Sequence, residues 1–96
     1  MIERTLLIKA RLGLHARAAA KLVRLASGFQ SQVLLRRTDG GAPADAKSIL
    51  SVLMLAASRG TTLQASVDGI DEEAAMNAID QLFAEGFGEI EPESSI

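Results

Sequence analysis

The sequence predicts an α+β domain of element order βαββαβα, with an antiparallel sheet covered by helices on one face. Three observations carry that prediction. Stretches rich in Val and Leu, or alternating apolar with polar residues, are punctuated by turn signals at Asp39-Gly40-Gly41 and Asp68-Gly69. Between them lie segments whose apolar residues recur at helical spacing. Short turns between strands favour antiparallel pairing, and helices apolar on one side need one sheet face to cover. A chain of 96 residues holds one modest core and so one domain, assigned to residues 1–88.

The elements follow in order. Ile2 to Arg11, built around Leu6-Leu7-Ile8, reads as a strand. Ala16 to Phe29 reads as a helix, with Ala16, Ala19, Ala20, Val23, Ala26 and Phe29 as its inner stripe. Lys21 and Arg24 lie away from that stripe, and Gly28 sits near the helix end. Gln32 to Thr38 is the second strand. Ala42 to Asp45 is a short return strand in which Pro43 lacks a ladder donor, which suits an edge or an irregular stretch. Ser48 is a natural N-cap for a second helix running to about Ala57, with Arg59-Gly60 ending it. Thr61 to Val67 alternates as a half-buried strand. Asp71-Glu72-Glu73 places negative charge on the first turn of the last helix, whose stripe is Ala75, Ile79, Leu82 and Phe83, with Gly86 as its stop. Residues 89–96, acidic and serine-rich, read as a frayed, disordered tail.

Composition narrows the function. Without cysteine there is no disulfide, thiolate nucleophile or zinc–thiolate site. One histidine leaves only carboxylates as partners for a metal, so neither a metal nor a cofactor is expected. No apolar run approaches the roughly 20 residues of a membrane span. Met1-Ile2-Glu3-Arg4 does not resemble a secretory signal, so a cytoplasmic protein with no membrane insertion is expected. Charge is unevenly spread: residues 1–47 carry nine Lys/Arg against three acids, and residues 48–96 carry one against nine. The basic half suits acidic or phosphorylated partners. Nucleic acid is disfavoured, because Tyr and Trp are absent and the net charge is −2.

The single histidine stands in Gly13-Leu14-His15-Ala16-Arg17, at the start of the first helix. A helix N-terminus offers backbone N–H groups and a partial positive charge to an anion. A phosphoryl group on the imidazole would meet the amides of Ala16 and Arg17, and the Arg17 guanidinium could add charge-assisted contacts. Gly13 suits a sharp chain direction there and an open approach for a partner. The plainer alternative is an exposed capping histidine.

Gly13-Leu14-His15-Ala16-Arg17, followed at matching spacing by Lys47-Ser48-Ile49-Leu50-Ser51-Val52-Leu53, resembles the HPr family of phosphocarrier proteins of the sugar phosphotransferase system. The likeness spans about residues 1–88. It implies an open-faced β-sandwich, with a four-stranded antiparallel sheet and three helices. It implies that His15 takes phosphate on Nδ1 from phosphorylated enzyme I and hands it to IIA domains of sugar permeases, with Arg17 as the phosphate-side partner. Such a protein is a stoichiometric carrier rather than an enzyme, and a monomer is expected. The family has proline where this chain has Ala18, which predicts a looser helix start and altered transfer rates rather than lost function.

The resemblance also marks Ser48 as a regulatory phosphorylation site, with HPr kinase/phosphorylase and a transcriptional regulator as further candidate partners. A phosphate there would add charge of about −1.5 to −2 beside the docking face. The second helix is apolar nearly all round. Ile49, Val52 and Ala56 fit a core stripe, which leaves Leu50, Leu53 and Met54 for partner docking beside a basic rim of Lys47 and Arg24. Two alternatives stand beside the sugar carrier. One is a paralogue in a regulatory or nitrogen-linked phosphorelay. The other is a binding module that works without phosphorylation, suggested by Ala18 and the unusual third strand.

Overall fold

Four strands, β1 (Ile2–Leu7), β2 (Gln32–Arg37), β3 (Ala44–Asp45) and β4 (Thr62–Asp68), pair antiparallel in the order β1-β4-β2-β3. Three helices cover one face: α1 (Ala16–Ser27), α2 (Ile49–Met54) and α3 (Glu72–Ala84), the last followed by a 3-10 turn at Gly86–Gly88. This is the open-faced α+β sandwich expected. The computed structural model describes residues 1–88, and the tail assigned to 89–96 lies outside the described residues.

The sheet follows from alternation. In β4, Leu63, Ala65 and Val67 are buried, while Thr62, Gln64 and Ser66 turn to the open face. The register sets Leu63 opposite Leu6, and Val67 and Ala65 opposite Val33 and Leu35. A slip of one residue would turn this whole apolar set to solvent. β1 ends at Leu7, short of the expected Arg11, because β4 gives out. Only Ile8 continues the pairing, donating to Thr61 O at 2.9 Å and accepting from Gly60 N at 2.8 Å. β3 keeps two of its four expected residues, and Pro43 falls just outside it.

The helices deviate more. α1 buries Ala18, Ala19, Leu22 and Ala26, whereas Ala16 is exposed, Ala20 and Val23 are half-buried, and Phe29 lies beyond the Gly28 cap. The inner face is therefore rotated from the expected stripe, with Leu22, the largest side chain of the buried set, at its centre. Lys21, expected away from the core, reaches the carbonyl of Phe87 at 2.7 Å. That contact holds the final turn against α1, where Phe87 adopts φ +59° and packs its ring 4.9 Å from that of Phe83. α3 buries Ala75, Met76, Ile79 and Phe83, while Leu82 is only half-buried.

α2 stops after six residues instead of continuing to Ala57. Leu55 caps it, and Ala56 takes φ +51°, which reverses the chain and buries Ala57. Of the expected core stripe only Val52 is buried. Ile49 is 44% exposed and Ala56 is exposed, because the shortened helix brings Val52 and Leu55 inward instead.

The turn after α1 is clasped by Asp71, the N-cap residue of α3. Its carboxylate accepts from Gln30 N at 2.8 Å, Ser31 N at 2.9 Å and the Ser31 hydroxyl. The hydroxyl and the two amides hold the Asp71 carboxyl below its ordinary value. A lowered native pKa means the stabilisation is complete above the unfolded-chain value of about 3.9 and fades as pH falls through the native one. Asp71→Asn is therefore expected to lower the urea midpoint clearly at pH 7 and much less at pH 3. Equal losses at both pH values would contradict this linkage.

Candidate functional site

His15 occupies the N-cap of α1 with extended backbone (φ −77°, ψ −179°), and its carbonyl accepts the first intrahelical bond, from Ala19 N at 2.8 Å. The amides of Ala16, Arg17 and Ala18 precede that bond, the arrangement that suits an anion at a helix start. The half-buried ring makes no capping hydrogen bond to the helix. Ala16 and Arg17 are exposed, and Ala18 is fully buried as the third helical residue.

The segment leading into His15 is set from outside the helix. Gly13 adopts φ +70°, and a Cβ built there would lie 2.4 Å from Ala57 O and 2.7 Å from Ser58 Cα. The following amide, Leu14 N, donates to that same Ala57 carbonyl at 2.8 Å, and Gly13 N donates to Ala10 O at 2.9 Å. Gly13 was expected to give a sharp turn and an open approach. It gives the turn, but it is buried against the α2–β4 loop, so the space around it is closed.

α2 packs against α1 and β3. Leu50 (66% exposed), Met54 (76%) and Leu53 carry the apolar surface expected of them, and Ile49 joins them. Leu12, 70% exposed and three residues before His15, is a further member that sequence reasoning missed. Its signal was a lone leucine between Arg11 and Gly13, outside any periodic stretch. These exposed side chains stand on the loop before α1 and on α2, which packs against α1, and exposed apolar residues of this kind suit an interaction surface.

Ser48 is the N-cap of α2, its hydroxyl accepting from Ser51 N at 3.4 Å and its carbonyl from Val52 N at 3.0 Å. Lys47, taken as part of a basic rim, sends its ammonium to Phe29 O at 2.8 Å and is half-buried. Arg24 is exposed in the last turn of α1, where it complements the helix dipole. It stands about 13 Å along the axis from His15. The structure thus sets His15 and Arg17 at the start of α1, the exposed apolar side chains on the loop before it and on the helix packed against it, and Arg24 at the far end of α1. Among the described residues there is no acidic or histidine cluster suited to a metal. No helix among them is long and apolar enough to cross a membrane.

Comparison with known proteins places this geometry. The family model described as the PTS HPr component phosphorylation site matches residues 2–85. The chain belongs to the HPr family. It is 51% identical over 89 residues to the phosphocarrier protein HPr of Cupriavidus necator, covering 93% of this chain and 98% of the relative. It is 41% identical over 88 residues to the phosphocarrier protein NPr of Escherichia coli, covering 92% and 97%. The crystal structure of HPr-C-His from Thermoanaerobacter tengcongensis superposes with a TM-score of 0.88 at 40% identity, covering 95% of this chain and all of that one. Membership of the HPr family makes this a phosphocarrier protein of the phosphotransferase system.

The Gly13 contact yields a direct prediction. Gly13→Ala combines a left-handed backbone with overlap on a backbone carbonyl that cannot swing aside. It is expected to destabilise the fold by about 2 kcal/mol or more. Gly60→Ala, at φ +91° with nothing within 4 Å, should cost less. Urea denaturation of both variants checks the ranking.

Proposed function

We propose that this chain carries phosphate between enzyme I and the IIA domains of sugar permeases, with His15 as the acceptor. The observation that carries the reading is the position of its one histidine at the N-cap of a 12-residue helix, beside three first-turn amides and Arg17. In the loading step the lone pair of Nδ1 forms the N–P bond while the bond from phosphorus to the donor breaks. Discharge to a IIA domain reverses those roles. The helix start and Arg17 neutralise charge on the phosphoryl oxygens, and little else is demanded of a carrier, since alignment and electrostatics dominate such transfers. No resident cofactor takes part. The protein is consumed and regenerated stoichiometrically rather than turning over as an enzyme.

Leu12, Ile49, Leu50, Leu53 and Met54 supply the docking surface, where a partner buries apolar side chains and brings its own phosphate-bearing group to His15. The cytoplasm is the compartment where such partners meet it, and the carrier acts as a monomer. The greater similarity to a protein named HPr than to one named NPr supports the sugar branch over a nitrogen-linked relay. Ser48, half-buried at the near end of α2, is a regulatory site whose phosphorylation by HPr kinase/phosphorylase would set like charge beside the docking residues.

Intact-mass measurement after incubation with phosphoenolpyruvate and enzyme I tests the acceptor. Wild type should gain one acid-labile phosphate and His15→Ala none. A gain by both proteins would move the site elsewhere, and no gain by either would favour the phosphorylation-independent binding module. At Ser48, Ser48→Ala should cost about 0.5–1 kcal/mol through the lost cap while leaving phosphate acceptance intact. Ser48→Asp should slow acceptance, read as the initial rate of mass gain.

A further inference from the structure

Arg37 stands at an unexpected place. β2 points Val33 and Leu35 into the core, and Arg37 follows them on the same face at the strand end. Its side chain does not turn away. Nε and Nη2 hold the two oxygens of Asp39 at 2.9 Å each, a bidentate pair that fixes the guanidinium plane. The remaining nitrogen, Nη1, donates to Leu55 O and Ala56 O, both at 3.2 Å. These are the carbonyls left over where α2 stops, and among them is that of left-handed Ala56.

The next carbonyl in the chain, that of Ala57, accepts from Leu14 N, one residue before His15. We propose that Arg37 is a positioning residue for His15: it pins the end of α2 so that Ala57 O is presented to the Leu14 amide. The proposal rests on His15 being the phosphoryl acceptor. The guanidinium touches neither His15 nor the phosphoryl group. It acts through two successive backbone contacts, and Asp39 in turn aims it. Lysine could not replace it, because an ammonium cannot grip both carboxylate oxygens of Asp39 and still reach two carbonyls in one plane.

Arg37→Ala and Arg37→Lys test this, with Arg36→Ala as the control for charge. Arg36 is exposed opposite Gln64, on the sheet face away from the helices. Two readouts are needed. The first is amide hydrogen exchange of the unphosphorylated protein, which requires no partner. Exchange at Leu14 should rise of order ten-fold in both Arg37 variants, with exchange at the β4 core amides unchanged. The second is the initial rate of phosphorylation by enzyme I against carrier concentration. Loss of alignment should lower kcat of order ten-fold with KM changing less than two-fold, whereas Leu50→Ala should chiefly raise KM.

Arg36→Ala should behave as wild type in both readouts. Wild-type exchange at Leu14 in Arg37→Ala, or unchanged kcat, would overturn the proposal. Equal losses in the Arg36 and Arg37 variants would overturn it too, since charge alone would then be responsible. Wild type that accepts no phosphate would refute the carrier reading instead, a result distinguishable from failure of the Arg37 variants alone.

Discussion

Gly13 lies against Ala57 with no space for a side chain, and the amide that follows it bonds to the Ala57 carbonyl. Two loops distant in sequence are locked together by that approach. On one side it fixes the direction in which the chain enters α1, and so where the N-cap residue stands. On the other it fixes the reversal that ends α2 early and turns Leu50, Leu53 and Met54 outward. The proposed acceptor and the proposed docking surface are therefore positioned by one contact. A small carrier gains from such an arrangement because phosphoryl transfer tolerates little misalignment and offers few other groups to correct it.

The remaining structure supplies a stiff base for this contact. β4 lies between β1 and β2, and its three inward residues meet side chains from both neighbours. The helix layer is tied down at its margins by polar bonds that bridge distant segments. Asp71 joins the end of α1 to the start of α3, and Lys21 joins α1 to the final turn. Each satisfies backbone groups that would otherwise be left without partners at loop and helix ends.

Much of this was legible in the chain, and the parts that were not share a cause. β4 announces itself through strict alternation, and α1 through a histidine and arginine beside a run of alanines. The rotation of α1 was hidden because alanines at positions 16, 18, 19 and 20 make every face look apolar, so the single Leu22 decides by packing. The end of α2 was hidden because Leu53, Met54, Leu55, Ala56 and Ala57 are all good helix formers. What stops the helix is tertiary: Ala57 is drawn to Leu14, and Arg37 satisfies the carbonyls left behind. The place of His15 and Arg17 at the start of α1 could be read from local pattern. The exposure of Leu12 and the reach of Arg37 to the end of α2 could not, since both come from neighbours supplied by the fold.

The two edges of the sheet carry a further consequence. β3 pairs with β2 at Leu34 and Leu35, and Ala46 N adds a bond to Val33 O, which leaves Arg36 and Arg37 beyond it, with Gly40, Gly41 and Pro43 in the connection. At the other edge, β1 sets Glu3, Arg4 and Thr5 in succession. Charges, a proline and a two-residue strand all discourage another chain from adding itself by backbone pairing. The edges therefore resist strand-by-strand aggregation. The exposed apolar side chains sit instead on a helix and a loop, whose contacts form and dissolve without any backbone exchange. Docking on the proposed surface would then proceed by side-chain contact alone, with no strand added from one chain to the next.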